Sequence, residues 1–316
     1  MTSLEKYFKI KHIYYIKKYI NVFISRKGEN MMKRTSNKTA YLFIGLPIVL
    51  LLVFMVIPVC MSFYYSFTNY DVVSRADFVG ISNYKKIFQD RYFFIALKNT
   101  FVYTITSVPL GIISSLGAAL LLNMKKSGTT LFRTFFYLPV LCSAVATANI
   151  WAWLLNPQSG LINNFLRFLG INGPAWLYDA RWAMLAVIIM SVWMSFGSNM
   201  IIFLAGLQGV PENLYEASRV EGANRWQIFY YVTWPMISKT TFLVSTTLII
   251  NCFQVFDQAY MLTKGGPGNA TMTLVYYIYN NGFGSLKMGY ATALSVVLFI
   301  IIFTLSYINK RGSERD

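Results

Sequence analysis

Six apolar runs punctuate the chain, at residues 41–66, 98–123, 132–156, 183–206, 240–263 and 289–309. Each is long enough to cross the hydrocarbon core of a bilayer as a helix. The pattern therefore predicts an all-α, polytopic membrane protein with six transmembrane helices, and an even number places both ends on one side. The first run, "YLFIGLPIVLLLVFMVIPVCMSFYYSFTNY", is too long for a secretory signal and lacks its small-residue cleavage site, so it is expected to stay as a helix. Pro47 and Pro58 are tolerable there because neighbouring helices can satisfy the carbonyls they free. Between the runs lie polar, turn-rich connections. "FVGISNYKKIFQDRYFFIALKNT" leads into the second span, with Tyr92, Phe93 and Phe94 suited to the membrane interface. "NPQSGLINNFLRFLGINGPAWLYDARWA" reads as a re-entrant turn or short interfacial helices, and "TKGGPGNATMT" terminates the fifth run.

Composition changes the picture in one respect, the side on which the ends lie. The chain has 316 residues, 56% hydrophobic and 13% charged, with a net charge of +16. Ten Lys and Arg precede residue 41; Lys125, Lys126, Arg133, Arg219, Arg225, Lys239, Lys310, Arg311 and Arg315 join them on the same side, leaving nine of 28 for the other. By the positive-inside rule both termini are cytoplasmic, and residues 67–97, 157–182 and 264–288 are outside. The excess charge is then a topology signal and not a sign of nucleic-acid binding. Residues 1–40 form a cytoplasmic N-terminal segment, residues 41–310 the transmembrane domain and residues 311–316 a cytoplasmic tail. Within the first segment, seventeen of residues 6–24 are Phe, Tyr, Ile, Asn or Lys, the types that codons of A and T alone encode. That bias, and the "KGENMM" after it, point to translation starting at Met31 or Met32 with 1–30 untranslated; a basic aromatic segment on the membrane surface is the competing reading.

Catalytic chemistry finds little support. His12 is the sole histidine, which leaves no His-based metal site or Ser-His-Asp triad, and no catalytic, cofactor-binding or metal residues are assigned. Cys60, Cys142 and Cys252 each sit within an apolar run and read as small hydrophobes. The chain has no G-x-x-x-x-G-K-[ST], so nothing in it cradles nucleotide phosphates.

One polar segment, "LYEASRVEGANRWQIFYYVTWP", interrupts the apolar pattern between the fourth and fifth spans, within residues 206–239. Its Glu216-Ala217-Ser218, followed by Glu221-Gly222-Ala223, Phe229, Val232 and Pro235, resembles the cytoplasmic EAA loop of ABC-importer permeases. Pieces such as "FRTFFYLPV", "NPQSGLIN", "FDQAYMLTKGGP" and "GYATALS" narrow the resemblance to carbohydrate-importer permeases of the maltose-permease type. It extends over about residues 40–310. Ser218, Glu221, Val232 and Trp234 depart from the usual Ala, Asp, Ile and Leu. The resemblance implies that this loop forms two short coupling helices meeting at Gly222, the first docked on a separate ATPase subunit. It further implies a second permease subunit, ABC ATPase subunits that bind the ATP and Mg, and an extracellular or periplasmic solute-binding protein.

The path of a sugar substrate should show as polar residues aligned on a helix face, since such groups within lipid point at protein or a wet cavity. Ser191, Ser195 and Ser198 fall within roughly 60 degrees on the fourth span, and Asn251, Gln254 and Gln258 within a similar arc on the fifth. Asp257, the one acid inside a span, lies off that arc near its outer end, where a structural salt bridge is an equal reading. The competing role for the serines and amides is hydrogen bonding between helices. The resemblance favours Asn251 and Gln254 for substrate. An importer of glycerol-3-phosphate with the same build is the alternative; it would want Arg or Lys facing the cavity, and the spans show none beyond Lys98 and Arg133 at their ends, though the partner permease could supply one.

Overall fold

The computed structural model describes residues 37–124 and 128–313; the start-site reading, His12, Lys125, Lys126 and Arg315 lie outside them. The described residues are mostly helical, and one isolated bridge pairs Thr68 with Phe78. The backbone divides into a unit ending at Met61 and a unit beginning at Ser62. Helix α1 spans Asn37–Leu51 and continues through a widened π turn, Leu52–Val56, into Ile57–Tyr65. The wide turn, closed by Ile57 N–H on the Leu52 carbonyl, ends two residues before Pro58. A proline ring clashes with the carbonyl four residues back, and an extra residue in the turn makes room for it.

The second unit is built around two long helices, α3 (Arg91–Asn123) and α7 (Ala180–Gln208), which pack along each other. Asp90 caps α3 by accepting from the Tyr92 amide, so the second span starts seven residues earlier than its hydropathy indicates. Thirty-three residues give a rod of roughly 50 Å, longer than the hydrocarbon is thick. Small residues of α3, Ala96, Thr100, Thr104, Ser107, Gly111 and Ser115, are buried among the helices around it, Gly111 against Leu248 and Thr100 against the Leu274 amide. Small side chains let helices approach closely where lipid supplies no hydrophobic drive. The hydroxyls of Thr100 and Thr104 donate to the carbonyls four residues back, so they enter the interior already satisfied.

Three apolar clusters run along α3. At its C-terminal end Leu116, Ala119 and Leu122 pack with Met200, Phe203 and Leu207 of α7 and with Val244 and Leu248 of α10 (Ser238–Phe253). In the middle Tyr103 meets Val187, Ile188 and Cys252. At the start, Phe93 and Ala96 pack with Ile87 of α2 (Ser82–Gln89), Phe253, and Leu294 and Leu298 of the last helix, α13 (Met288–Ser313). That end is tied by Asp90, whose carboxylate accepts from the hydroxyls of Tyr277 at 2.5 Å and Tyr290 at 2.6 Å. Burial opposes ionisation of Asp90, but these hydrogen bonds prevail and hold its carboxyl below the usual carboxylate range. The three cysteines are free thiols, Cys252 buried and Cys60 and Cys142 exposed.

Two expected spans are broken. The third is α4 (Thr129–Leu141) and α5 (Ala144–Leu154), turned by 100° at Cys142-Ser143. Ser143 caps α5 by accepting from the Ala146 amide. The fifth stops at Phe253 and resumes as α11 (Asp257–Thr263). Among the described residues four helices are long and apolar enough to cross a membrane alone, and up to six spans result if α4 with α5, and Arg225–Met236 with α10, each cross once. The connection at 157–182 holds a short amphipathic helix, α6 (Leu161–Phe168). Its anchor is the buried Asn163, whose amide donates to the Pro157 and Pro174 carbonyls and accepts from the Trp176 indole.

Candidate functional site

The polar segment after α7 folds as two helices joined at a glycine. The first, α8, is Glu212–Val220; the second, α9, runs Arg225–Met236. Helix α8 ends because Gly222 takes φ +82°, a left-handed conformation that a Cβ disfavours. Two crossed hydrogen bonds close the turn, Ala223 N–H to the Ser218 carbonyl and Gly222 N–H to the Arg219 carbonyl. Helix α9 then starts with a reciprocal cap: the Asn224 side chain accepts from the Gln227 amide, and the Gln227 side chain from the Asn224 amide.

Glu216, Ala217 and Glu221 are exposed, Ser218 and Ala223 half-buried, and the space beyond the Gly222 α-carbon is open. The Ser218 hydroxyl donates to the Leu214 carbonyl at 2.8 Å, which spares a helix surface the cost of an unpaired polar group where Ala is usual. Tyr215 points the other way, its hydroxyl 3.3 Å from the buried Thr233 hydroxyl, and so fastens α8 to α9. Helix α9 contains a second π turn, Phe229–Thr233, two residues before the exposed Pro235 and in the same relation as the turn before Pro58. Trp234 is exposed, its ring 6.2 Å from that of Phe229, so its bulk is accommodated without displacing the core. The chain then bends by 69° at the buried Ile237 into α10.

The second group lies where α10 gives way to α11. Asn251, Gln254 and Asp257 are exposed and Gln258 half-buried. A single arc for Asn251, Gln254 and Gln258 requires a continuous helix, and the helix is not continuous. Gln254 is the C-terminal cap of α10, and Val255 and Phe256 leave helical geometry before α11 restarts at Asp257. Gln258 therefore belongs to a different helix face from Asn251. The carbonyl freed at Val255 accepts from the buried Thr273 hydroxyl at 2.9 Å, a contact eighteen residues away. On α7, Ser191 is buried and donates to the Val187 carbonyl, so its hydroxyl is part of the packing and not of an open face. Ser195 and Ser198 are half-buried and also bond to backbone of their own helix.

Aromatic rings missed at the level of sequence flank the break. Phe256 stacks on Tyr260 at 5.2 Å and meets Tyr279 at 4.9 Å, and Tyr276 and Phe283 extend the group. Tyr276 and Tyr279 come from α12 (Leu274–Tyr279), just after the Gly-Gly-Pro turn. The "YYIY" there was the available signal, but nothing local says which of its rings faces α11. The arrangement offers amide and carboxylate groups beside ring faces, the pairing suited to a ligand with hydroxyls on one side and C–H on the other.

Residues 107–311 match the family described as binding-protein-dependent transport system inner membrane component. A probable ABC transporter permease protein YesP of Bacillus subtilis is 37% identical over 89% of this chain and 92% of its own length. The lactose transport system permease protein LacF of Rhizobium radiobacter is 34% identical, covering 89% of this chain and 96% of that protein. The sn-glycerol-3-phosphate transport system permease protein UgpA of Pectobacterium atrosepticum is 32% identical over 89% and 98%. Among solved structures, a chain of a bacterial ABC transporter that imports the acidic polysaccharide alginate superposes with a TM-score of 0.79 at 23% identity, covering 92% of this chain and 99% of that one.

Proposed function

The chain belongs to the family of binding-protein-dependent transport system inner membrane components, and on that premise we propose that this ABC permease subunit, not itself an enzyme, passes a sugar or oligosaccharide along the face made by Asn251, Gln254 and Asp257. The observation that carries the reading is the helix break at 254–256. Non-helical backbone inside a span is tolerated only where protein or a water-filled cavity covers it. Here one freed carbonyl is satisfied from within and the polar side chains beside it stay exposed. Phe256, Tyr260 and Tyr279 give the adjoining apolar surface. A lactose permease among the relatives supports a sugar.

The importer places α8 on the cytoplasmic face, where Glu216, Ala217 and Ser218 meet an ATPase subunit and Gly222 sets the angle to α9. Both termini are on that side, as the Lys and Arg distribution favours. A second permease subunit completes the path, ATPase subunits bind ATP and Mg, and a solute-binding protein delivers the sugar from outside. The glycerol-3-phosphate relative keeps a second reading in play, but a phosphate wants a cation, and Lys239 and Lys264 flank the α10–α11 face at opposite ends without entering it.

Uptake kinetics test the reading. Asn251→Ala and Gln254→Ala should each weaken sugar transport roughly two- to tenfold, the worth of one neutral hydrogen bond at about 0.5–1.5 kcal/mol. Unchanged kinetics in both, at normal expression, would return these amides to a purely structural role. Competition of uptake by glycerol-3-phosphate and not by oligosaccharides would favour the second reading.

A further inference from the structure

A cavity of about 870 Å³ opens between the C-terminal end of α3 and the α8–α9 loop. One wall is a stripe of α3, Gly117, Leu120, Leu121 and Met124, at the spacing of a single helix face. Leu121 and Met124 are exposed although they lie at the end of a membrane helix. The opposite wall carries Arg219 and Arg225 beside Trp226 and Phe229, and no Asp or Glu lines the space. Neither guanidinium joins an ion pair among the described residues. Trp226, Tyr230, Tyr231 and Trp234 are all exposed around α9. Such a belt of amphipathic rings marks headgroup depth.

We propose that this cavity binds an anionic phospholipid of the inner leaflet, its phosphate held by Arg219 and Arg225 and its acyl chain laid on the α3 stripe. Each half of the cavity requires its own half of that ligand. An apolar stripe at the end of a span accepts hydrocarbon, and two arginines at headgroup depth accept the bidentate hydrogen bonding of a phosphate. Basic pockets at the cytoplasmic ends of membrane helices have this use in general. Because both arginines flank Gly222, one on each short helix, an occupant would brace the angle between α8 and α9 and make coupling sensitive to membrane charge. The inference rests on the placement of α8 at the membrane surface proposed above. An ATPase subunit covering the arginines is the rival occupant.

The test uses the whole complex in nanodiscs of phosphatidylcholine alone or of phosphatidylcholine mixed with phosphatidylglycerol. Bound lipid is read by native mass spectrometry and subunit content by co-purification. Wild type should retain phosphatidylglycerol over phosphatidylcholine, and the double variant Arg219→Gln/Arg225→Gln should lose that preference by roughly ten- to thirtyfold, each basic residue at an anionic surface being worth about fivefold. Arg181→Gln, a control that removes one cation at the N-terminal end of α7, should leave it unchanged. Equal retention by wild type and the double variant overturns the site. So does loss of the ATPase subunits from the double variant in phosphatidylcholine alone, which would assign the arginines to subunit contact. Lipid retention is read without transport, so failure here leaves the role of α8 standing, and a failure of α8 to bind an ATPase leaves the lipid result interpretable.

Discussion

The chain is broken at Gly222 and again at Gln254–Phe256, and the two breaks are made differently. At Gly222 the turn itself is closed by local devices, with the Tyr215–Thr233 hydroxyl contact holding α8 against α9 beside it. A glycine at positive φ closes α8, two backbone hydrogen bonds seal the turn, and Asn224 and Gln227 cap the helix that follows. At 254–256 there is no Gly or Pro, and the two non-helical residues, Val255 and Phe256, carry bulky side chains. That break is stabilised from elsewhere in the chain, by the Thr273 hydroxyl on the Val255 carbonyl and by rings of α12 against Phe256. A bend in water can be specified by its own residues, because solvent meets whatever they leave unpaired. A break within an apolar span needs partners brought to it by the rest of the fold.

The largest expected effect separates the two at once. Gly222→Asp puts a side chain on a residue at φ +82°, which costs roughly 1 kcal/mol or more in backbone terms. The α-carbon faces open space in this chain, so nothing else in the permease should be disturbed. The carboxylate must instead be accommodated wherever α8 meets its partner, usually at greater cost. Uptake should fall at least tenfold, with the protein still in the membrane and poor recovery of ATPase subunits or no substrate-stimulated hydrolysis. Wild-type recovery, stimulation and uptake together would remove the docking role from this loop.

What the sequence made legible follows the same division. Hydropathy marked the apolar runs, and among the described residues four of them are single helices long enough to cross a membrane, because burial in lipid leaves its mark on every residue of a run. It placed the start of α3 seven residues late, since Arg91 and Lys98 dilute the apolar signal there and the decisive residue is the Asp90 cap. The Cys142-Ser143 break had a local sign, Ser143 just before an apolar segment, that the length of the run obscured. The break at 254–256 had none. Its consequence for the candidate site is the separation of Gln258 from Asn251, together with an aromatic wall drawn from α11 and α12 at once. The serines of α7 were legible as a face but not as one turned partly inward, because that depends on α3 packing against it, with Tyr103 against Val187 and Ile188.

A smaller effect tests whether the second break truly depends on a distant partner. Thr273 is fully buried, so Thr273→Val keeps its shape while removing the one hydroxyl that reaches the Val255 carbonyl. A buried acceptor left unpaired costs about 1–3 kcal/mol, and the loss should appear as a lowered melting temperature of the purified protein together with reduced sugar affinity. Thr273→Ser restores the donor at the expense of a methyl group and should recover most of both. If Thr273→Val is as stable as wild type while Thr273→Ser is not, the methyl group and not the hydrogen bond is what matters, and the break must be stabilised by the aromatic contacts alone.

The smallest effect belongs to the local cap. Asn224→Ala removes one half of the reciprocal arrangement at the start of α9, and loss of such a cap costs about 0.5–2 kcal/mol. Asn224 is exposed and the Gln227 amide it leaves behind can turn to water, so the low end of that range is expected. The global melting temperature should hardly move, whereas hydrogen exchange across residues 223–228 should quicken, because the opening is confined to the loop. Asn224→Asp keeps an acceptor on the same atom and should restore protection. A global loss of stability from Asn224→Ala, comparable with that from Thr273→Val, would show that the Gly222 bend leans on the rest of the fold as heavily as the break at 254–256 does, and the contrast between a locally specified bend and a remotely held one would fail.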